Sequence, residues 1–555
     1  PESELRSRQV LHEKVPGLLT ALSTVDAASL VSELDTVWHT ISDLQRHAAY
    51  LKVLGLEDTA DQTIKRARSA VDTDQSVLEA AVSKRLRSVP QVSIASLGPY
   101  RLLAIQAQAE AKHTFSPDAQ QYRGEVTLPQ QDAIGDAYDK IIESLGLFSE
   151  ATSSDNTKRR PAIASRDRAF DEVAPETAML LGTLVDSQNR DAAAQGYPDA
   201  STRKYETLGL TSEGVQHVLR AVEAKAPLYR DYEQLLAEHV SKRLNISPVL
   251  STEVNVGIVP ESTIPFSQAD RLILDALAPL GQDYVHRLAQ LLDPANGRLD
   301  LAGGRQRAHT GTSIAVFDAP VAFFFGAYDG SIESVDTIAH EGGHAIHREL
   351  MNANGIPIFQ REGPHYLSEG YAIFNEFLVL DHMVNVARSP AEKERALEYL
   401  LKEIAFQIFT SAEETSFERS LYTSAAGHPL LDRMQIDALY RRAVGPYEYW
   451  PMTDIGASRA WMRKSLLFED PLYLVNYLYA SLVAVSLYTK AEADPHFANS
   501  YEALLKRGFD DNPEVLLSSL GIRLDDPKVI DNVAEVFQMK LNTLKALYAA
   551  DNQQR

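Results

Sequence analysis

Two histidines four residues apart, with a glutamate directly after the first, form the most distinctive pattern in the sequence. The segment reads DTIAHEGGHAIHREL, and its paired histidines are His340 and His344. On an α-helix, four residues turn about 400° and rise about 6 Å, so both imidazoles leave one face one turn apart. This spacing lets two nitrogens bind one metal ion, typically zinc. Glu341 lies to the side, where it can hold a metal-bound water and accept its proton.

The alternative for this motif is a surface helix with two unrelated histidines. With 15 histidines in 555 residues, an H-E-x-x-H pattern is expected by chance about 0.03 times. Gly342 and Gly343 each cost about 1 kcal/mol relative to alanine inside a helix. Such a cost is tolerated where another part of the chain approaches the backbone closely. We therefore predict a metal-binding helix.

A zinc site of this kind needs a third protein ligand. In one class of zinc peptidases it is a histidine ten residues after the first, but that position holds Leu350. The other option is a glutamate on a following helix, and GPHYLSEGYAIFNEFLVLDHM offers Glu369 and Glu376, two turns apart on one face. We expect Glu369 to bind the metal and Glu376 to accept a hydrogen bond from a ligand imidazole. A solvated helix face is the alternative for both.

Two further histidines and a tyrosine cluster accompany these residues. His347 could compete as a ligand, but we expect it to pack, and His365 has the position of a polar residue at a helix start. Tyr473 and Tyr477 share a helical face in EDPLYLVNYLYASLVA. A tyrosine hydroxyl can donate to the oxyanion of a tetrahedral intermediate, and an aromatic stripe in a helical core is the alternative. Pro471 indicates a helix start, which favours Tyr473 slightly.

Helical periodicity dominates the part of the chain that precedes these motifs. Apolar residues recur at a spacing of three to four over 17–87, which predicts three or four helices. The segment SEATSSDNTKRRP is polar enough for a loop, and helices resume over about 165–195. A chain of this length exceeds one compact core. We predict an N-terminal helical lobe over 1–190 and a catalytic domain over 191–555.

Three stretches of the second domain carry other signals. Residues 246–266 contain three prolines and alternating apolar positions, which predicts a connector with a short strand. Ser267 and Asp270 resemble a capping box that opens a helix. Residues 312–328 are the most β-rich stretch, and from Ser334 onward the pattern is helical again. A short strand region therefore precedes the predicted metal-binding helix.

Composition excludes several classes of function. Lys+Arg number 54 and Asp+Glu 76, a formal net charge of −22, which argues against binding to nucleic acid or anionic membranes. The chain has no cysteine, so disulfides and thiolate chemistry are excluded. It also has no run of about 18 apolar residues that could span a bilayer. We expect a cytoplasmic location, or a periplasmic or secreted one if an N-terminal segment has been removed.

Several segments match one known family in order along the chain. HEGGHAIH fits the pattern H-E-x-G-H-x-x-H, and Glu369 to Glu376 fit E-x-x-x-x-x-N-E. KHTFSPDAQ, RDAAAQGYPDASTRKY and PLYLVNYLYAS follow the same order. The sequence thereby resembles the zinc peptidases of the oligopeptidase F and thimet oligopeptidase family, in the oligopeptidase F branch. It departs from them at Gly342, at Ala372 and in MRKSLLFEDP, which lacks the histidine that usually precedes the tyrosine segment.

The resemblance implies a fold and a set of site residues. The fold would be mainly α, with two mostly helical lobes around a deep substrate channel and a small β-sheet beside the H-E-x-x-H helix. One zinc ion would bind per chain, and a substrate backbone would pair with a strand at about 322–327. The implied site residues are the zinc ligands His340, His344 and Glu369, the general base Glu341, and the transition-state donors Tyr473 or Tyr477.

The predicted activity is that of a zinc metalloendopeptidase, a hydrolase acting on peptide bonds in short unfolded peptides. Zinc would polarise the scissile carbonyl and lower the pKa of its bound water towards about 7. Two alternatives stay open. One is a dipeptide-releasing carboxypeptidase of related architecture, which would need a fixed cation near the site to capture the end group. The other is a zinc-bearing peptide-binding protein that has lost turnover.

Overall fold

Helices form most of the chain in this computed structural model. It describes residues 2–146, 149–254, 256, 263–316, 319–428, 431–451, 457 and 459–554. The α-helices of the described part, numbered in chain order, are α1 Glu2–Thr24, α2 Leu30–Glu57, α3 Gln62–Arg87, α4 Arg101–Glu110, α5 Pro117–Tyr122, α6 Leu128–Ser144, α7 Asn156–Ala194, α8 Ala200–Thr207, α9 Ser212–Glu223, α10 Ala226–Leu244, α11 Phe266–Ala276, α12 Gln282–Leu292, α13 Ile332–Ala353, α14 His365–Val386, α15 Pro390–Ile404, α16 Ser411–Ala425, α17 Arg433–Val444, α18 Leu466–Glu469, α19 Leu474–Ala493, α20 Phe497–Arg507, α21 Pro513–Ser518 and α22 Pro527–Gln554. The predicted mainly helical fold is confirmed.

Three long helices form the N-terminal part, as the apolar periodicity predicted. α1, α2 and α3 bury side chains such as Leu34, Ile41 and Leu78 against one another. α3 begins where the Asp61 carboxylate accepts a hydrogen bond from the backbone N–H of Thr63 at 2.7 Å. These helices thus have an apolar cluster of their own, separate from the core around the H-E-x-x-H motif.

The polar segment SEATSSDNTKRRP forms a shorter loop than the sequence predicted. α7 begins at Asn156, inside the predicted loop. The Asp155 carboxylate accepts a hydrogen bond from the N–H of Thr157 at 2.9 Å. The Arg159 guanidinium donates to the carbonyl of Ser153 at 2.8 Å. The polar residues therefore cap and anchor the first turn of a helix instead of extending a loop.

The connector over 246–266 lacks the predicted strand among its described residues. Ser251–Glu253 form a 3₁₀ turn, and none of the residues described there pairs with a β-strand. The remainder of the expected strand lies at residues 255 and 257–262, outside the described residues.

The capping box predicted at the start of α11 is wrong. The helix begins at Phe266, and Pro265 occupies the N-cap position without a side-chain hydrogen bond. Ser267 is already inside the helix, where its carbonyl accepts from Arg271 at 2.9 Å. Proline favours this helix start because its fixed φ and missing N–H suit the first turn, so Ser267 and Asp270 are not needed as a cap.

A three-stranded sheet lies beside α13. Its strands are β1 Leu299–Asp300, β2 Gly311–Ile314 and β3 Ala322–Phe325, in the order β1-β3-β2. β3 pairs with β1 in parallel and with β2 in antiparallel register. The expectation that a peptide pairs with the strand at 322–327 is therefore wrong, because β3 is central and hydrogen-bonded on both sides. A peptide backbone can add only to an outer strand.

Close packing of α13, α14 and α19 requires glycine at two positions. A Cβ on Gly343 of α13 would lie 2.8 Å from the Cα of Ala372 in α14. A Cβ on Gly370 of α14 would lie 2.7 Å from the Cβ of Val483 in α19. The close approach inferred at Gly343 is confirmed, and the backbone of Ala372 lies against it at the crossing. These contacts fix α14 against the H-E-x-x-H helix.

The apolar core consists of several clusters that join distant parts of the chain. One lies within residues 11–107, a second joins 138–200 to 417–472, and the largest extends over 205–548 and includes α13 and α14. The division at residue 190 stays a prediction. Across the described ranges, no helix combines the length and the apolar character needed to cross a membrane.

Candidate active site

α13 and α14 bring the three predicted metal ligands together. The Nε2 atoms of His340 and His344 are 3.2 Å apart. Oxygens of the Glu369 carboxylate lie 3.3 Å from Nε2 of His340 and 3.4 Å from Nε2 of His344. Ligand atoms placed tetrahedrally at about 2.0–2.1 Å from one zinc ion would be separated by about 3.3 Å. Both the chemistry and the spacing of these donors fit zinc.

A series of hydrogen bonds fixes the His340 ring from the opposite side. Nδ1 of His340 contacts the Glu376 carboxylate, whose other oxygen accepts from the Gln407 amide at 3.0 Å. The Ser481 hydroxyl of α19 donates to Gln407 at 3.0 Å. Gln407 belongs to the π-helical segment Ala405–Thr410, a geometry that is frequent at functional sites. Glu376 therefore orients His340 so that its Nε2 faces the ligand cluster.

Burial and neighbouring charges set the protonation of the cluster. Burial opposes a charged His340, but hydrogen bonds to Glu369 and Glu376 outweigh it and raise the pKa well above its usual value. Burial also opposes a charged Glu369, yet both imidazoles hold its pKa below the usual range. Burial lowers the pKa of His344. A bound cation would replace the proton on His340, because metal and proton compete for the same nitrogen.

Glu341 lies between α13 and β2, next to the ligand cluster. Its Oε2 accepts a hydrogen bond from the backbone N–H of Ser313 at 2.7 Å. A Cβ on Gly311 would lie 2.5 Å from Cγ2 of Thr337, so β2 runs directly against α13 here. The Glu341 carboxylate is half-buried and faces the outer edge of β2.

Tyr473 and Tyr477 stand at the beginning of α19. Their ring centroids are 5.3 Å apart, and each phenol influences the pKa of the other. Burial raises the pKa of both phenols, and the nearby Glu369 carboxylate adds to the effect. Both are half-buried, whereas Tyr479 is only 4% exposed. The pair therefore faces the ligand cluster instead of forming a fully buried aromatic stripe.

An unusual backbone conformation directs Tyr473. Leu472 has a φ of 63°, in the left-handed region that leucine rarely adopts. Its N–H donates to the Glu418 carboxylate at 2.5 Å. Tyr473 is the N-cap of α19, so the helix start indicated by Pro471 is confirmed. Backbone strain of this kind persists where surrounding contacts fix it, and it clusters at active sites.

The two remaining histidines of these segments have different surroundings. His347 packs against the rings of Tyr371 and Phe509, with centroid distances of 5.1 and 5.4 Å. Burial lowers the pKa of His347 to about 3, and the residue packs as expected. His365 begins α14, and its Nδ1 lies 3.4 Å from the Glu369 carboxylate. The four-residue spacing to Glu369 was the available signal for this contact.

His365 also supplies an imidazole beside the tyrosine pair. Its ring centroid lies 5.7 Å from that of Tyr473, and 56% of its side chain is exposed. The segment MRKSLLFEDP has no histidine of its own. The imidazole of His365, at the start of α14, therefore lies beside Tyr473, although the segment before the tyrosines contains no histidine.

Two basic residues that the sequence analysis did not single out lie at the same strand edge. The Arg348 guanidinium donates to Oγ of Ser313 at 2.6 Å, and Nζ of Lys52 donates to Oγ1 of Thr312 at 2.9 Å. Arg348 could have been noticed, because it lies one turn after His344 on α13. Lys52 could not, since 260 residues separate it from Thr312.

Comparisons with known proteins agree on one family. Residues 300–535 match the model of peptidase family M3. The chain is 20% identical over 416 residues to oligopeptidase PepF of Bacillus subtilis, an alignment that covers 72% of this chain and 59% of PepF. It is 22% identical to group B oligopeptidase PepB of Streptococcus agalactiae, covering 72% of this chain and 65% of PepB. The alignments thus span less than two thirds of each of these relatives.

Solved structures show the same fold over nearly the whole chain. Oligoendopeptidase F from Enterococcus faecium superposes with a TM-score of 0.69 at 17% identity, covering 99% of this chain and 98% of that one. A candidate peptidase from Chlamydophila abortus superposes with a TM-score of 0.80 at 19% identity, covering 96% of both chains. The resemblance predicted from the motifs is confirmed: residues 300–535 match peptidase family M3, and the curated and structural relatives include oligopeptidase F proteins.

Proposed function

We propose that the protein is a zinc-dependent metalloendopeptidase that hydrolyses peptide bonds in short unfolded peptides. The observation that carries the proposal is the spacing of the His340, His344 and Glu369 donor atoms, 3.2 to 3.4 Å apart. This spacing equals the edge of a zinc coordination tetrahedron, about 3.3 Å. One zinc ion per chain would bind these three residues and keep one position open, as catalytic zinc sites do.

Glu341 is the proposed general base. Bound zinc supplies Lewis-acid chemistry, which polarises a peptide carbonyl and makes water more acidic. The Glu341 carboxylate lies beside the ligands and is held by the Ser313 N–H. It accepts the proton of the attacking water and delivers it to the leaving amine. Its hydrogen bond to β2 keeps the carboxylate directed along the strand where the substrate would lie.

The tyrosine pair is the proposed donor to the oxyanion. The rings of Tyr473 and Tyr477 lie 5.3 Å apart, and a hydrogen bond from one hydroxyl to the other would leave one phenol proton to point towards a substrate oxygen. Burial raises the pKa of Tyr477, so the hydroxyl keeps the proton that it must donate. Hydrogen bonds aimed at developing charge stabilise the transition state more than the ground state.

A peptide backbone would add to the outer edge of β2. One side of β2 pairs with β3, whereas the Ser313 N–H on the other side meets Glu341. Two cavities separate α2 from β2 and the loop that follows it, with volumes of 310 and 520 Å³. Cavities of this volume between helices and a strand edge would admit an extended chain and exclude a folded domain. Residues 1–190 would form the wall opposite the sheet, and the cytoplasm is the proposed location.

A second candidate function, release of C-terminal dipeptides, is favoured by one observation. Arg348 and Lys52 stand at the β2 edge, where cations could hold a terminal carboxylate. An endopeptidase cleaves peptides blocked at both ends, whereas an enzyme that requires the free C-terminus does not. Product mass spectrometry on free and amidated peptides separates the two functions.

The test of the proposed function is incubation of the protein with a mixed peptide pool, with and without a zinc chelator. We expect cleavage of short peptides, loss of cleavage with chelator and recovery on adding zinc. Glu341→Gln should retain zinc, since Glu341 is not a ligand, while turnover falls by about 10²–10⁴-fold, as is typical of a lost general base. Zinc binding without any cleavage would instead support a peptide-binding protein. Near-normal turnover of Glu341→Gln would overturn the assignment.

A further inference from the structure

A positively charged cavity lies between the N-terminal helices and the strand edge beside Glu341. It has a volume of 310 Å³. α2 and α3 line one side, and β2 with α13 lines the other. The charged residues of this cavity, which we call the interlobe cavity, are Lys52, Arg68, Arg348, Arg361 and Glu362. Four cations thus face one carboxylate in a protein whose formal net charge is −22.

Two of these cations, Arg348 and Lys52, are half-buried and make no direct ion pair with a described carboxylate, although the charge of Glu341 acts on both. Among the described residues, no carboxylate oxygen lies within 4.0 Å of either one. Other half-buried arginines of the described chain do pair: Arg298 lies 2.6 Å from Glu349, and Arg243 lies 2.9 Å from Glu394. Cations removed from water without a partner are costly.

Hydroxyl groups of β2 hold both cations in position. Ser313 accepts from Arg348 at 2.6 Å, and Thr312 accepts from Lys52 at 2.9 Å. Burial, together with the charge of the nearby Arg348, lowers the pKa of Lys52. The two cations therefore influence each other, and an anion between them would relieve this repulsion.

The position of Ser313 relates the cations to the reacting centre. Its N–H donates to Glu341 at 2.7 Å, and its Oγ accepts from Arg348 at 2.6 Å. The carboxylate oxygen and the guanidinium nitrogen joined through this one residue are therefore at most about 9 Å apart. An extended peptide advances about 3.3 Å per residue. A group bound by Arg348 would lie within about three residues of a bond positioned at Glu341.

We propose that Arg348 and Lys52 form a carboxylate subsite of the substrate cleft. The subsite accepts a peptide carboxylate, either the C-terminus or the side chain of an aspartate or glutamate, within about three residues of the scissile bond. Arg348 binds the two oxygens with its guanidinium fork, and Lys52 adds a point charge from the opposite wall. The inference rests on the proposed peptidase function and adds a substrate class to it.

The test compares peptides that differ only in one carboxylate. One pair has a free or an amidated C-terminus two residues after the scissile bond. A second, longer amidated pair carries glutamate or glutamine at each position within about three residues of that bond. We expect kcat/KM to be about tenfold higher or more for at least one carboxylate member, as for a charge-assisted hydrogen bond. The first pair identifies a terminal carboxylate as the ligand, and the second identifies a side chain.

Substitutions test whether Arg348 and Lys52 cause the preference for carboxylate peptides. Arg348→Gln and Lys52→Met should each lower the ratio of kcat/KM between the carboxylate and neutral peptides, and Arg348→Lys should retain part of it. Arg190→Gln removes one charge at a side chain that is 80% exposed on α7, so the ratio should stay at the wild-type value. Thermal unfolding shows whether each variant is folded, and the Lys52 variant tests the subsite if the Arg348 variant is not.

A binding measurement separates this inference from the proposed function. Calorimetry on zinc-loaded Glu341→Gln should show tighter binding of the carboxylate peptide than of its neutral counterpart. In the double variant that also carries Arg348→Gln, this difference in Kd should disappear. Absence of any hydrolysis by the wild type would refute the peptidase function, while binding would still test the subsite. Equal kcat/KM and equal Kd for both members of every pair would overturn the subsite. Equal slowing of all peptides in the Arg348 variant would overturn it too, since the cation would then act on Glu341.

Discussion

Single residues of α13 and α14 would determine whether the proposed metal is held. His340 and His344 each provide one nitrogen, and Glu369 provides the carboxylate. The donor atoms of these three residues lie 3.2 to 3.4 Å from one another. Removal of one side chain therefore leaves two donors. Two ligands hold zinc poorly, because each missing contact is replaced by water.

The first prediction follows for the histidines. His340→Ala and His344→Ala should each reduce bound zinc to well below one ion per chain, measured by atomic emission after dialysis. His12→Ala is the matched control, because its imidazole is 71% exposed and pairs with Asp74. The control should keep the wild-type zinc content. Full zinc occupancy in both ligand variants would refute the site.

The second prediction concerns the hydroxyls of Tyr473 and Tyr477. His340 and Glu376 influence the pKa of Tyr477, in addition to Glu369, so this phenol lies at the ligand cluster. Tyr477→Phe should therefore lower kcat the most, corresponding to about 2.7–4 kcal/mol, with peptide binding little changed.

Tyr473→Phe should have a smaller effect, since Tyr473 would act by supporting Tyr477, whose ring centroid lies 5.3 Å away. Melting temperatures of both variants provide the control for packing. Wild-type turnover in both would place the oxyanion donor elsewhere, and His365, next to Tyr473, would be the first residue to examine. Loss of stability together with activity would support a packing role.

At the scale of elements, the crossing of α13 and α14 positions the ligands. Gly343 lies one residue before His344, and the backbone of Ala372 lies where its Cβ would project. Overpacking at a close contact typically costs about 1–3 kcal/mol. A side chain here would also push Glu369 away from the histidines.

The third prediction is that Gly343→Ala lowers both the thermal stability and the zinc affinity. Gly17→Ala in α1 is the matched control, because nothing lies within 4 Å of its added Cβ and alanine is favoured over glycine in helices by about 0.5–1 kcal/mol. Stability of the control should be equal or slightly higher. An unchanged zinc affinity in Gly343→Ala would show that the crossing does not set the ligand geometry.

Periodicity and motif spacing predicted those elements whose signal is local. Apolar spacing located α2 and α3, and H-E-x-x-H with the later glutamates placed the candidate ligands on two helices. The two-residue strand β1 is too short to show alternation, so the central position of β3 could not be foreseen. The Lys52 contact with Thr312 is formed only by the tertiary fold. Local patterns contain no information about such contacts.

At the scale of the whole molecule, buried acidic groups dominate the electrostatics. Burial raises the pKa of Glu233 and of Glu418 to about 8 and that of Glu403 to about 7. Near neutral pH these carboxyls keep their protons in the folded protein, whereas the same carboxyls are ionised in the unfolded chain. The formal net charge of −22 adds repulsion as they ionise. The lowered pKa of His347 has the opposite effect, because it makes stability rise with pH. This effect is confined to the range below about pH 6.5, where the imidazole of the unfolded chain becomes charged.

The fourth prediction is that stability falls as the pH rises from about 6.5 to 8. The folded state binds more protons than the unfolded state in this range, so the free energy of unfolding decreases with pH, by about 1 kcal/mol per pH unit for each such group. The Glu233 carboxyl accepts from the Tyr449 N–H at 2.9 Å, and glutamine preserves this acceptor without ionising. Glu233→Gln should therefore flatten the pH dependence of the melting temperature, whereas Glu176→Gln, exposed on α7, should not. A wild-type melting temperature that rises over this range would show that the carboxyls are ionised in the folded protein, and that the buried cations and hydroxyls compensate their charge.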